Sequence, residues 1–168
     1  MRQARNLYFK ALVGLSALTL LVTAGFNAHA LDVGDTLKID NLVTIEGQTL
    51  TSQELDGKYL VVQVWATWCP FCHRQNLNLI ELANQTADQD LKIIALSIDK
   101  DPADVVSYAQ KHDINFVLAM MTPELDKAIG KRRGIPELYV VDPSGKVVQK
   151  GYGQMVDLDI FDLAEYGR

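Results

Sequence analysis

The sequence predicts an α/β domain in which a central mixed sheet is flanked by helices, with an N-terminal β-hairpin and an inserted αβ element. Three observations predict it. Apolar, β-branched runs at residues 59–65, 91–98 and 116–121 have the length and composition of buried strands. Segments with helical spacing separate them, and strand–helix alternation implies βαβ units and a largely parallel sheet. Two further strand candidates, 137–141 and 147–152, flank Asp142-Pro143-Ser144-Gly145, a hairpin turn that adds antiparallel pairing.

Taken in order, the chain opens with Arg2, Arg5 and Lys10, runs uncharged from Ala11 to Ala28 and reaches Ala28-His29-Ala30, an AxA cleavage pattern. Residues 1–30 therefore read as a signal peptide. A spanning helix needs ~20 apolar residues, and the greasiest stretch, residues 11–26, is shorter and interrupted by Gly14, Ser16, Thr19 and Gly25. An uncleaved inner-membrane anchor over 11–26 is the second reading. Residues 31–168 are then one domain, a size that suits one core.

Within that domain, Glu46-Gly47-Gln48 marks the turn of the N-terminal hairpin, residues 51–55 make a helical turn, and Asp56-Gly57-Lys58 breaks it. The run 59–65 is interrupted only by Gln63. From Pro70 the spacing of Leu77, Ile80, Leu82 and Ala83 predicts a helix with one apolar stripe, and proline suits its first turn. Val105, Val106 and Ala109 predict a helix over 102–111, Pro123 opens a short helix ending at Ile129, and an amphipathic helix over 156–166 closes the chain.

Removing residues 1–30 takes away three basic and no acidic residues, leaving 13 Lys+Arg against 21 Asp+Glu, a net charge of −8. Nucleic acid and anionic membranes are poor partners for such a surface. Cys69 and Cys72 are the only cysteines, so no cysteine near residue 30 can carry a lipid. Exported chains use cysteines as staples, but a pair three positions apart closes a loop too short to staple anything. The spacing points to chemistry.

A thiolate, not a thiol, attacks a disulfide. At a helix N-terminus the unpaired N–H groups and the positive end of the macrodipole favour the Cys69 thiolate, while Cys72, one turn further in, can resolve a mixed disulfide. A structural disulfide and a metal knuckle are the competing readings, and zinc would need two further ligands. His73 adjoins the pair, whereas His112 reads as an ordinary surface residue.

Trp65-Ala66-Thr67-Trp68-Cys69-Pro70-Phe71-Cys72 resembles the active-site signature of thioredoxin-fold proteins, closest to the exported TlpA/ResA-like thiol:disulfide oxidoreductases. Gly134-Ile135-Pro136 resembles their cis-proline loop, and the likeness covers most of residues 34–165. Exported proteins of the suppressor-of-copper-sensitivity type are similar in size and in a WATWCP-type motif. The resemblance implies a thioredoxin fold and a cis bond before Pro136. It further implies that the Ile135 backbone pairs with substrate backbone in β-strand fashion. Ile135, Pro136 and Trp68 form the implied substrate contacts, with Phe71 an exposed apolar contact beside the thiols. No cofactor is implied beyond the redox-active Cys69–Cys72 pair, and no metal. The implied partners are protein thiols and disulfides and a membrane or exported redox partner, in the periplasm.

Two departures qualify the resemblance. Where thioredoxins carry a buried carboxylate, six residues before the first cysteine, this chain has Gln63. Where TlpA/ResA-like proteins often carry a glutamate, three residues after the second cysteine, it has Gln75. Neither can titrate or shuttle a proton, which predicts a lower Cys69 pKa and a more oxidising couple than thioredoxin's. Glu137 is the candidate substitute, although at a strand start it reads as solvent-facing. Pro70-Phe71 between the thiols also differs from thioredoxin's Gly-Pro and favours a potential above ~−270 mV, with reductase, oxidase and isomerase directions all open. The alternative from another class is a copper-binding or copper-protection module using the two thiolates with His73 or Met120-Met121. A peroxiredoxin is disfavoured because the residues before Cys69 lack the PxxxTxxC arrangement.

Overall fold

Backbone pairing around β3 (Tyr59–Trp65) organises the molecule, of which the computed structural model describes residues 30–168. The predicted leader or anchor over 1–30 lies, but for Ala30, outside the described residues. Preceding β3 are β1 (Leu42–Val43), β2 (Thr49–Leu50) and the short helix α1 (Ser52–Leu55). After it come α2 (Pro70–Gln85), β4 (Leu91–Ser97), α3 (Pro102–Lys111), β5 (Val117–Met120) and α4 (Pro123–Ile129). The chain ends with β6 (Glu137–Val141), β7 (Val147–Tyr152), α5 (Asp157–Phe161) and a 3₁₀ segment over Asp162–Gly167.

The five-stranded sheet has the order β5-β4-β3-β6-β7, with β3, β4 and β5 parallel and β6 and β7 antiparallel. The expected mixed sheet, N-terminal hairpin and inserted α3–β5 element are all present. The hairpin guards the sheet's free edge: Ile45 N–H donates to Leu118 O at 2.9 Å, and Thr44 bridges Ala119. The β6–β7 turn closes through Asp142, whose side chain accepts from the Ser144 and Lys146 N–H groups. Gly145 supplies the positive φ of 87° that this turn needs.

Alternation along β3 distributes its side chains between two layers. Val62 and Val64 join Ile94, Leu96, Tyr139 and Val141 against the N-terminal arm, α1 and α4. Val61 faces α2 and the C-terminal segment, packing with Ile93, Leu138, Leu79, Leu82 and Ile160. Trp65 faces the same side, with Cys72, Ala95 and Val105 of α3. Complete burial of Leu79 and Leu82 contributes ~1.5–3 kcal/mol each toward holding α2 on the sheet.

Two sequence expectations need correction. The buried stripe of α2 runs through Cys72, Gln75, Asn76, Leu79 and Leu82, while Leu77 is exposed. Leu82 is buried and Ala83 packs beside it as expected, but two of the inward positions are polar, so hydropathy spacing misplaced the first half of the stripe. The predicted helix over 156–166 divides into α5 and a 3₁₀ turn, which buries Leu163 and Ala164 beside Ile160.

Candidate active site

The loop from β3 to α2 is clamped from the neighbouring strand. Asp99 follows β4 by two residues, and the parallel register that pairs Trp65 with Ser97 brings it level with Thr67. Its Oδ2 accepts from Thr67 N–H at 2.9 Å and Ser97 Oγ at 2.6 Å, and its Oδ1 accepts from Thr67 Oγ1 at 2.7 Å. Both oxygens are thereby used in holding the loop. The sequence reading missed Asp99, although two parallel strands ending side by side would have pointed to it.

Cys69 is the N-cap of α2, with Pro70 in the first turn. Cys72 N–H donates to Cys69 Sγ at 3.2 Å, the contact by which a helix start stabilises negative charge on sulfur. The two cysteines form a disulfide with their Cα atoms 5.2 Å apart. Cys69 is 4% exposed and Cys72 not at all. Both are buried, and Cys69 is the one nearer the surface.

Opposite the disulfide, the Ile135–Pro136 bond is cis. Cys69 Sγ lies 3.7 Å from Ile135 O, a carbonyl to which the reduced S–H can donate. Pro136 O is taken by Gly153 N–H at 2.9 Å, which ties the loop to the end of β7. Trp68 and Phe71 flank the cysteines and are 67% and 61% exposed, while Trp65 is wholly buried against Tyr108. Trp68 is therefore a surface aromatic, and Phe71 shares that position.

Gln63, Gln75 and Asn76 are buried together on the α2 side of β3. Met155 N–H donates to Gln75 Oε1 at 2.8 Å, Gln75 Nε2 to Gln63 Oε1 at 2.7 Å, and Gln63 Nε2 to Asn76 Oδ1 at 2.7 Å. Asn76 Nδ2 then donates to the Tyr108 hydroxyl at 3.2 Å, and that hydroxyl lies 2.8 Å from His73 Nδ1. The replacements of the family carboxylates are thus two links of one polar chain, and burial holds the Tyr108 hydroxyl above its ordinary pKa.

Glu137 is buried, against expectation, and its side chain pairs with Lys150 at 3.2 Å. Its register partner is Val64, so it lies on the sheet face opposite Gln63 and α2. It therefore cannot replace the missing carboxylate beside Cys72. For Lys150, the cost of burial is outweighed by hydrogen bonds to Tyr152 and Glu137, and its pKa is raised.

His112 also departs from the expected surface role. Its ring centroid is 4.6 Å from that of His73 and 4.4 Å from that of Tyr108. Desolvation, then His73 and Lys111, lower its pKa. The copper reading gains no support from Met120 and Met121, which pack on opposite sides of the sheet. Among the described residues no group of three or more His, Cys, Asp or Glu is arranged to hold a metal ion.

Residues 32–166 match the Redoxin family. The chain belongs to that family. Among curated relatives, this Redoxin chain is 29% identical over 112 residues to thiol-disulfide oxidoreductase ResA of Bacillus cereus, covering 66% of this chain and 64% of the relative. It is 21% identical over 167 residues to ResA of Bacillus subtilis, covering 96% and 93%. The thiol:disulfide interchange protein DsbE of Allochromatium vinosum is 26% identical over 107 residues, covering 63% of this chain and 58% of that one. The chain thus spans just under two thirds of the Bacillus cereus relative's length.

Solved structures place the Redoxin chain in the thioredoxin fold. A thioredoxin-family thiol:disulfide interchange protein from Chlorobium tepidum superposes with a TM-score of 0.68 at 24% identity, covering 82% of this chain and 95% of that one. A putative protein disulfide isomerase from Bacteroides thetaiotaomicron gives 0.72 at 17% identity, covering 82% and 91%. The structure brings together six of the residues singled out in the sequence: Cys69, Cys72, Pro70, Phe71, Ile135 and Pro136. Gln63 and Gln75 sit behind them, and Trp68 stands at the rim. Asp99, Asn76 and Tyr108 complete the site and were not foreseen.

Proposed function

We propose that this Redoxin-family chain is an exported thiol:disulfide oxidoreductase that exchanges disulfides with protein substrates through Cys69 and Cys72. The observation that carries the proposal is the asymmetry of the pair: a Cys69 sulfur at the helix N-cap receiving an N–H from the start of α2, and a fully buried Cys72 one turn inside. In the reducing direction the Cys69 thiolate attacks a substrate disulfide, one sulfur leaves as thiolate, and a mixed disulfide forms. Cys72 then loses its proton and attacks Cys69, so the substrate departs with two thiols and the protein keeps the disulfide. Oxidation of substrate is the reverse.

Ile135 and Pro136 are proposed to present backbone to the substrate chain, with Trp68 and Phe71 as apolar contacts beside it. The AxA pattern at 28–30 supports export to the periplasm, with residues 11–26 as anchor where cleavage fails. No helix among the described residues is long and apolar enough to cross a membrane. The electron partner is proposed to be another exported or membrane thiol protein. Insulin reduction and thiol trapping test the proposal. Cys69→Ser should abolish turnover and Cys72→Ser should accumulate mixed disulfides; retained turnover in Cys69→Ser would refute the assignment.

A further inference from the structure

Beside Cys69, on the side of the loop facing α3, lies a cleft of about 520 Å³. Trp68, Pro70 and Tyr108 supply its apolar surface, and Cys69 itself is part of the lining. Besides Thr67, the remaining lining is basic: His73 from α2, with Lys111 and His112 from the end of α3. No carboxylate lines it. Asp99 spends both oxygens on Thr67 and Ser97, and Asp113, next to His112, only partly offsets the lowering of the His112 pKa by desolvation, His73 and Lys111.

This local sign opposes the net charge of −5 carried by the chain as a whole. At physiological salt the screening length is ~8 Å, so a ligand in the cleft responds to Lys111 and the imidazoles and hardly to distant acidic residues. The Tyr108 hydroxyl, which accepts from Asn76 Nδ2, lies 2.8 Å from His73 Nδ1 and holds that ring at the wall of the cleft. The cleft thus offers an ammonium and two imidazoles next to the sulfur that exchanges.

Building on the proposed oxidoreductase function, we infer that this cleft is a specificity subsite that receives a carboxylate carried close to the reacting disulfide of the substrate. An acidic residue flanking the substrate cysteine supplies that chemistry, as does a small acidic thiol. Lys111 and His112 are its specificity-determining residues. His112, whose pKa is lowered by desolvation, then His73 and Lys111, against the opposing pull of Asp113, gains charge on acidification and strengthens the preference. His73, Lys111, Tyr108 and Asp113 are the titratable groups around it.

The reduced full chain is mixed with dithiodipropionate, cystamine or hydroxyethyl disulfide, which carry negative, positive and no charge. Each rate is divided by that of the same disulfide with mercaptoethanol, which removes intrinsic reactivity. The expected anionic-to-cationic ratio is about fivefold, shrinking with added salt. It should fall toward one in Lys111→Gln with His112→Gln, and its rise at lower pH should be smaller in His112→Gln than in the wild type. Both probes keep their charge between about pH 6 and 8, so the pH effect belongs to the protein. A ratio of one, or a ratio unchanged in the double variant, overturns the subsite while turnover of the neutral disulfide leaves the oxidoreductase reading standing. No turnover of any disulfide overturns both. Short peptide disulfides with Asp or Lys beside cysteine separate the two sources: a larger ratio than the small probes give assigns the subsite to protein substrates, an equal one to small acidic thiols.

Discussion

Gln75 Nε2 donates to Gln63 Oε1 at 2.7 Å, and this one contact sets the orientation of a whole buried chain. Met155 N–H can only donate, so the Gln75 atom facing it is the oxygen. Each amide downstream is then oriented in turn: Gln63 presents Nε2 to Asn76 and Asn76 presents Nδ2 to the Tyr108 hydroxyl, which lies 2.8 Å from His73 Nδ1. The position where related proteins carry a titrating carboxylate is here filled by amides whose donors and acceptors are matched.

Cys69 should therefore ionise easily. With Gln63 and Gln75 neutral and Glu137 on the far face of the sheet, no carboxylate opposes the thiolate from behind. The expected Cys69 pKa in the reduced protein is below thioredoxin's ~7, read from thiolate absorbance against pH. Gln63→Glu should raise it and make the couple less oxidising. A wild-type value at or above ~7 would contradict this account.

Tyr108→Phe removes the acceptor for Asn76 Nδ2 and the hydroxyl partner of His73 Nδ1. Stability should fall by ~1–3 kcal/mol, the cost of one buried polar group left unmatched, measured by urea unfolding. The more specific signature is in the imidazole nitrogen NMR of His73: the tautomer balance of the wild type should shift in the variant.

Asp99→Ala should release the Thr67 loop. Loss of the hydrogen bonds from Thr67 and Ser97 is expected to cost ~1–3 kcal/mol and to slow disulfide exchange. A double-mutant cycle with Thr67→Val tests the clamp: the combined effect should be clearly smaller than the sum, and additive effects would show that the two residues act independently.

Lys150→Met leaves Glu137 as an uncompensated buried charge and should cost ~3–5 kcal/mol, whereas adding Glu137→Leu should recover much of the loss. The sign of the pH dependence follows from the raised Lys150 pKa. Its contribution is fully present below the unfolded lysine value of ~10.4 and is lost as pH rises through the higher folded value. Unfolding midpoints in the alkaline range, compared between wild type and the double variant, measure it.

Residues 59–65, 102–111, 123–129 and 137–141 announce their own elements because length, β-branching and proline placement act locally. The same locality made Cys69 and Cys72 legible, since a helix start and a CxxC pair are both short-range facts. Helix α2 was legible as a helix but not in its facing. Spacing alone counts Leu77 as buried, whereas the molecule turns Gln75 and Asn76 inward because Gln63 and Tyr108 satisfy them there.

By itself, then, the sequence determined the order of elements, the mixed sheet and the cysteine pair at the start of α2, all of which follow from patterns within a few residues. Only the tertiary structure decided the surroundings of those sulfurs. Asp99 reaches Thr67 across a strand register, Glu137 is carried to the far face by alternation along β6, and His112 is brought over His73 by the packing of α3 on the sheet. Two of these are contacts between residues more than 30 positions apart and the third is a choice of sheet face, and hydrophobic periodicity carries no record of which polar groups will meet.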